Sequence, residues 1–184
     1  MTLFLLLLSA AFCISQSMGV DITGNYHTIT TIQSSKGFVP IIDTKQNTRL
    51  SNMLNISQEE VNIGEHNPTP QTIFSYTSLL GISSKSDEYY SILSKHPLAH
   101  TFSIDMNRGS VLVMVEPSTR RKDRSFHPEE LVAFLLENAK KLASKQLGYE
   151  INEVVVSYPS YFNEIQRRAL ANAVGKCLSR YFSN

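Results

Sequence analysis

The apolar positions of this chain change period along its length. Gly19-Val20-Asp21-Ile22 alternates as a strand, breaks at Thr23-Gly24-Asn25 and resumes in the β-branched run Tyr26-His27-Thr28-Ile29-Thr30-Thr31-Ile32. Ser34-Ser35-Lys36-Gly37 reads as the next turn and Phe38-Val39-Pro40-Ile41-Ile42 as a third strand. The pattern therefore predicts an N-terminal β-meander with an acidic residue, Asp21, at its first tight turn. Residues 43–60 are polar and read as loop. Val61-Asn62-Ile63-Gly64-Glu65 and Thr72 to Leu80 read as short helices, separated by Asn67-Pro68-Thr69-Pro70, which no helix crosses. Residues 82–100 show no decisive period.

The second half is more regular. Thr101-Phe102-Ser103-Ile104-Asp105-Met106 and Val111-Leu112-Val113-Met114-Val115 flank Asn107-Arg108-Gly109, a hairpin with glycine where the turn needs positive φ. A helix is predicted from Pro128 to about Leu147. Proline opens its first turn, Glu129-Glu130 face the positive end of the helix dipole, Leu131, Phe134, Leu135 and Leu142 form its stripe, and Gly148 closes it. Glu153-Val154-Val155-Val156-Ser157-Tyr158 has the continuous apolar character of a buried strand. Pro159-Ser160-Tyr161-Phe162 then leads into a last helix, where Asn163 and Gln166 have capping-box spacing. The expected class is α/β, a mixed sheet with an N-terminal β-meander and packed helices.

The start of the chain stands apart. Leu3 to Leu8, continued by Ser9-Ala10-Ala11-Phe12-Cys13, is too short for a membrane span, which needs roughly 20 apolar residues. Ser15-Gln16-Ser17 supplies small residues suited to signal peptidase. Residues 1–17 read as a cleaved secretory signal peptide, with a buried N-terminal strand or helix as the alternative, and residues 18–184 as the mature domain. No span remains after cleavage. Of the two cysteines, Cys13 leaves with the leader, so no internal disulfide can form in the mature chain and Cys177 reads as a buried thiol on the last helix. Asn55-Ile56-Ser57 is the only N-glycosylation sequon, so Asn55 is a candidate acceptor if its segment is exposed.

Charge narrows the function. With 17 Lys and Arg against 16 Asp and Glu in 184 residues, and 18% charged residues overall, the chain lacks the basic excess of a phosphate-gripping nucleic-acid binder. The run Arg120-Arg121-Lys122-Asp123-Arg124 reads as a solvated loop. Gly-x-Ser-x-Gly, His-Glu-x-x-His, Cys-x-x-Cys and P-loop signatures are all missing. His96 and His100 are four apart, but Pro97 between them and the lack of a nearby third ligand argue against a metal pair. What remains is Asp21 before a glycine-bearing turn, an arrangement in which backbone N–H groups approach phosphate while a carboxylate orients a hydrated metal ion. Ordinary turn chemistry is the competing reading.

The order of these segments resembles the first lobe of the heat shock protein 70 (DnaK-type) ATPase domain, of the actin-like superfamily. Gly19-Val20-Asp21-Ile22-Thr23-Gly24-Asn25-Tyr26 is similar to the family's Gly-Ile-Asp-Leu-Gly-Thr-Thr-Tyr, and Ile63-Gly64-Glu65 to its Ile-Gly-Asp. Asn67-Pro68 through Leu79-Leu80-Gly81 resembles its Asn-Pro to Leu-Ile-Gly segment. Pro128-Glu129-Glu130, Leu147-Gly148-Tyr149 and Val156-Ser157-Tyr158-Pro159-Ser160-Tyr161-Phe162-Asn163 through Gln166-Arg167 resemble its most specific signature. Within the family, the leader, Leu79-Leu80-Gly81 and Arg167-Arg168 look most like the large endoplasmic-reticulum branch, the hypoxia up-regulated and glucose-regulated chaperones.

The resemblance implies an actin-like nucleotide-binding lobe at residues 18–184, stopping before the second lobe. It implies ATP or ADP with Mg as ligand, with Asp21, Thr23, Gly24, Asn25 and Tyr26 as cofactor contacts and Asp21 on the metal side. It also implies unfolded or nascent secretory proteins and lumenal partner chaperones as partners, and residence in the endoplasmic-reticulum lumen. Two departures bear on activity. Thr23-Gly24-Asn25 stands where the family has Gly-Thr-Thr, and Thr77 stands at the catalytic Lys position, where it supplies no cation to a transferring phosphoryl group. No catalytic residue is therefore assigned, and weak or no nucleotide binding by this chain alone is expected. A non-enzymatic lumenal binding module is the alternative, and an aggregation-prone incomplete product a third reading.

Overall fold

The computed structural model describes residues 16–33, 35–56, 61–64, 72–95, 101–115 and 124–179. The chain opens with β1 (Ser17–Ile22) and β2 (Tyr26–Gln33), an antiparallel hairpin in which Ile22 faces His27 and Met18 faces Thr31. Alternation decides its faces: Met18, Val20 and Ile22 are buried on β1, and His27, Ile29 and Thr31 on β2. β3 (Gly37–Pro40) pairs with β2, completing the predicted meander, and β4 (Leu50–Ser51) pairs with the start of β2.

Residues 43–64 depart from expectation. In place of a loop followed by a helix they contain β4, β5 (Leu54–Ile56) and β6 (Val61–Ile63). With β7 (Thr72–Ile73), these last two form a second sheet in the order β6-β5-β7. Val61-Asn62-Ile63 is an alternating triplet, and its pairing with Leu54-Asn55-Ile56 outweighs the weak helical pattern. The expected helix from Thr72 to Leu80 is likewise β7 followed by a 3-10 turn, Tyr76–Leu79. The segment without a decisive period holds α1 (Asp87–Lys95).

β8 (Thr101–Asp105) and β9 (Ser110–Val115) form the expected hairpin, with Gly109 at φ 65°, and β10 (Arg124–Phe126) adds a third strand. α2 (Pro128–Leu147) matches the predicted bounds and stops at Gly148 with φ 77°. At its start, the Glu130 carboxylate accepts the His127 N–H at 3.0 Å and receives Lys176 Nζ at 3.2 Å. His127 also lies between Asp105 (Nε2–Oδ2 3.5 Å) and Ser110 (Nδ1–Oγ 3.4 Å), tying this helix start to the β8–β9 hairpin.

β11 (Glu153–Ser157) inserts parallel to β1, giving the main sheet the order β11-β1-β2-β3 with β4 alongside β2. Only one face of β11 packs well: Val155 is 69% exposed, so this strand is not the fully buried one expected. α3 (Glu164–Ser179) closes the described chain, and Asn163 and Gln166 exchange hydrogen bonds at 2.9 and 3.0 Å as their spacing predicts. Between α2, α3 and the main sheet lies the core. Leu131, Leu135, Leu136, Ala139 and Ala143 of α2 and Ala173 of α3 are wholly buried, each buried leucine contributing about 1.5–3 kcal/mol of transfer free energy. Small residues on facing helices permit a close approach. Cys177 is buried on α3, as expected. No described helix is long and apolar enough to cross a membrane. The apolar run Leu3–Leu8, His96, His100, Ser57, Glu65, Asn67-Pro68 and most of the basic run lie outside the described residues.

Candidate functional site

The β1–β2 connection, Thr23-Gly24-Asn25, is the centre of the site. Thr23 closes it twice, its N–H and its hydroxyl both donating to Tyr26 O at 2.8 Å. From behind, Asn52 holds the turn. Its Nδ2 donates to Thr23 O at 2.9 Å and Tyr26 O at 3.1 Å, with Gly24 O at 3.5 Å, and its N–H donates to Asn25 O at 2.9 Å. The 3-10 turn adds two struts: Thr77 Oγ1 donates to Gly24 O at 3.2 Å and Ser75 Oγ to Asn25 Oδ1 at 2.9 Å. Ser75 reaches this position with φ 50°, uncommon for a residue with a side chain.

Beneath Asn52 sits His27, 1% exposed, with Nδ1 2.7 Å from Asn52 Oδ1. Because the Asn52 amide protons serve the turn carbonyls, its Oδ1 is the acceptor and His27 is the Nδ1–H tautomer. Nε2 is then a buried lone pair without a partner among the described residues. Burial drives the His27 pKa down to about 4, against the opposing effect of the Asn52 hydrogen bond, so the ring is neutral at pH 7.

The five expected cofactor residues do not share one cavity. Thr23 and Gly24 line a cleft of about 520 Å³, with Thr77 and Ser78 on one wall and Ser157, Pro159, Tyr161 and Asn163 on the other. Asn25 and Tyr26 line a neighbouring cleft of about 310 Å³ with Asn52, Phe74 and Ser75. Asp21 lines neither. The parallel register places it opposite Ser157, whose hydroxyl donates to its carboxylate. Tyr26 is 42% exposed and carries the Arg49 guanidinium 4.6 Å from its ring centroid.

No charged side chain lines the larger cleft among the described residues. No group of three or more His, Cys, Asp or Glu suited to a metal ion occurs among them either. These residues still fit hydrated magnesium, which keeps several waters and takes one or two carboxylates plus ligand phosphates. Asp21 is the carboxylate at hand. Thr77 is 6% exposed and its hydroxyl is committed to Gly24 O, so that position braces the turn and offers no cation. The other candidate site, Asn55, sits half-buried in β5, and Thr72 Oγ1 donates to its side-chain oxygen. The residues missed by sequence reasoning are Asn52, His27, Ser75 and Ser157. His27 shares the buried alternation of Ile29 and Thr31 and was legible as buried, whereas Asn52 lay in a segment read as loop.

A mixed α/β lobe with a tight first hairpin turn at the head of an open cleft is the fold of an actin-like ATPase lobe. Comparison with known proteins gives the family: the Hsp70 protein profile matches residues 16–176, and the chain belongs to the Hsp70 family. It is 30% identical over 167 residues to a ribosome-associated molecular chaperone of Eremothecium gossypii, covering 86% of this chain and 26% of that protein. Identity to a ribosome-associated molecular chaperone of Saccharomyces cerevisiae is 26% over 165 residues, covering 85% and 25%. A 51-residue stretch is 43% identical to the chaperone protein DnaK of Thermoplasma acidophilum, covering 28% and 8%. The chain thus spans about a quarter of the length of its long-matching curated relatives.

Proposed function

We propose that this chain is a nucleotide-facing lobe of an Hsp70-type molecular chaperone, taking the phosphate end of ATP or ADP at Thr23–Tyr26 and magnesium through Asp21. The observation that carries this reading is the braced turn at the head of the cleft, with the Asp21 carboxylate one residue before the end of β1. Magnesium would neutralise phosphate charge, and the residues present would bind and orient the phosphates rather than act in their transfer. Affinity is weak, because no cation lines the cleft among the described residues. Thermal unfolding with and without millimolar Mg-ADP tests it: a ligand that binds the native state alone raises the melting temperature. A magnesium-dependent rise, lost in Asp21→Asn, is expected; no rise in a cooperatively melting protein would overturn the reading.

The engagement of Thr77 with Gly24 favours a second reading, a non-enzymatic binding module in which the brace has replaced the phosphate-directed lysine. In that case the fold melts cooperatively and ignores nucleotide. For location we propose the endoplasmic-reticulum lumen and the large branch of the family, on the strength of the apolar run Leu3–Leu8 and the small residues after it. Unfolded or nascent secretory proteins and lumenal partner chaperones are the corresponding partners. The two fungal relatives named above are ribosome-associated chaperones, so protease protection of the full chain in microsomes is the discriminating measurement. Digestion without detergent would place it outside the lumen.

A further inference from the structure

Asn52 was invisible in the sequence, yet it is the most heavily engaged side chain around the turn, and it is 1% exposed. Through Nδ2 and its own N–H it draws the carbonyls of Thr23, Gly24, Asn25 and Tyr26 to one side. None of these peptides is cis, and in a planar trans peptide the C=O of one residue and the N–H of the next point in opposite directions. Drawing Thr23 O toward Asn52, and Gly24 O toward Asn52 and the Thr77 hydroxyl together, therefore turns the N–H groups of Gly24 and Asn25 away from them. Neither N–H donates to any group among the described residues.

We infer that Asn52 is a positioning residue that aims the Gly24 and Asn25 amides outward as a pair of anion-facing donors, giving by main chain a positive pole to a cleft that no charged side chain lines among the described residues. His27 completes the device by donating to Oδ1, which fixes the amide the right way round. A flipped amide would set Oδ1 against carbonyl oxygens. The inference rests on the nucleotide reading for its ligand but not for its geometry, and the two separate in experiment.

The test uses the ¹⁵N-labelled chain, two variants and inorganic pyrophosphate as probe. Asn52→Asp keeps the shape and the acceptor for His27 but sets an oxygen against the carbonyls. Asn52→Ser adds no charge and reaches fewer of them, so it controls for repulsion and serves if the aspartate variant fails to fold. In the parent, Gly24 and Asn25 should show backbone order parameters of about 0.85, and in the variants values under about 0.6, with α2 unchanged. Pyrophosphate should shift these two amides in the parent and bind at least tenfold more weakly in Asn52→Ser. Equal order in parent and variants, or equal pyrophosphate affinity, would overturn the role. A parent whose Gly24 and Asn25 amides answer pyrophosphate and loosen in the variants, but whose melting ignores Mg-ADP, would uphold the inference and overturn the nucleotide reading.

Discussion

Gly81 lies against the backbone of Gln166: a β-carbon at position 81 would come within 2.9 Å of the Gln166 nitrogen and α-carbon and within 3.0 Å of the Ile165 carbonyl carbon. Its φ of 67° is also one that side-chain-bearing residues adopt at a cost. This contact locks the 3-10 turn that bears Thr77 to the first turns of α3, so the two walls of the cleft are held together by a residue with no side chain.

Gly81→Ala should therefore destabilise the protein by about 2–4 kcal/mol, combining left-handed backbone strain with overpacking against atoms that cannot move aside. Urea unfolding measures it. A loss under about 0.5 kcal/mol would mean that α3 shifts freely, and the cleft would not be a fixed structure.

At the start of α3, Asn163 accepts the Gln166 N–H while Gln166 Oε1 accepts the Asn163 N–H. Asn163→Ala should cost about 1 kcal/mol, as removal of an N-cap generally does, and Asn163→Ser should recover most of it. A serine variant no better than alanine would show that the cap contributes nothing here.

That cap was readable because both partners lie within one helical turn, and the same holds for Pro128 and Gly148 at the ends of α2 and Gly109 in the β8–β9 hairpin. Local chemistry writes such features into consecutive residues. The second sheet was not readable for the opposite reason: Val61-Asn62-Ile63 is a strand because Leu54-Asn55-Ile56 lies beside it, and three residues carry too little pattern to announce a partner. The site divides in the same way. Asp21 and the turn stood out by motif, whereas Asn52 meets the turn only through a fold that spans 25 or more residues, and its segment looked like solvent-facing loop.

Thr77 gives a prediction that separates bracing from binding. Thr77→Val keeps the shape and buries the same surface but leaves Gly24 O with one donor fewer, so a loss of about 1–2 kcal/mol is expected. Thr77→Ser, which retains the hydroxyl, should keep the bond to Gly24 O and give up only a buried methyl. If the valine variant is as stable as the parent, the hydroxyl is no strut, and the account of why this position tolerates the loss of a cation falls with it.

His27 contributes to the pH dependence of stability. Its folded pKa, about 4, lies below the ordinary 6.5 because burial disfavours the charged ring. Above pH 6.5 the ring is neutral folded or unfolded, and it contributes no slope. Between pH 6.5 and about 4 the unfolded chain binds the extra proton, so stability falls as pH falls. The depression corresponds to a loss of about 3 kcal/mol once pH 4 is reached. Glu130 acts at lower pH. Burial raises its pKa, but the His127 N–H and Lys176 outweigh that and hold it below the ordinary 4.5, so its contribution is lost as pH falls through the carboxylate range. His27→Gln can donate to Asn52 without titrating. Urea midpoints taken from pH 7 to pH 4.5 should decline steeply in the parent and much less in this variant. Parallel declines would place the acid sensitivity elsewhere and remove His27 from the base of the turn.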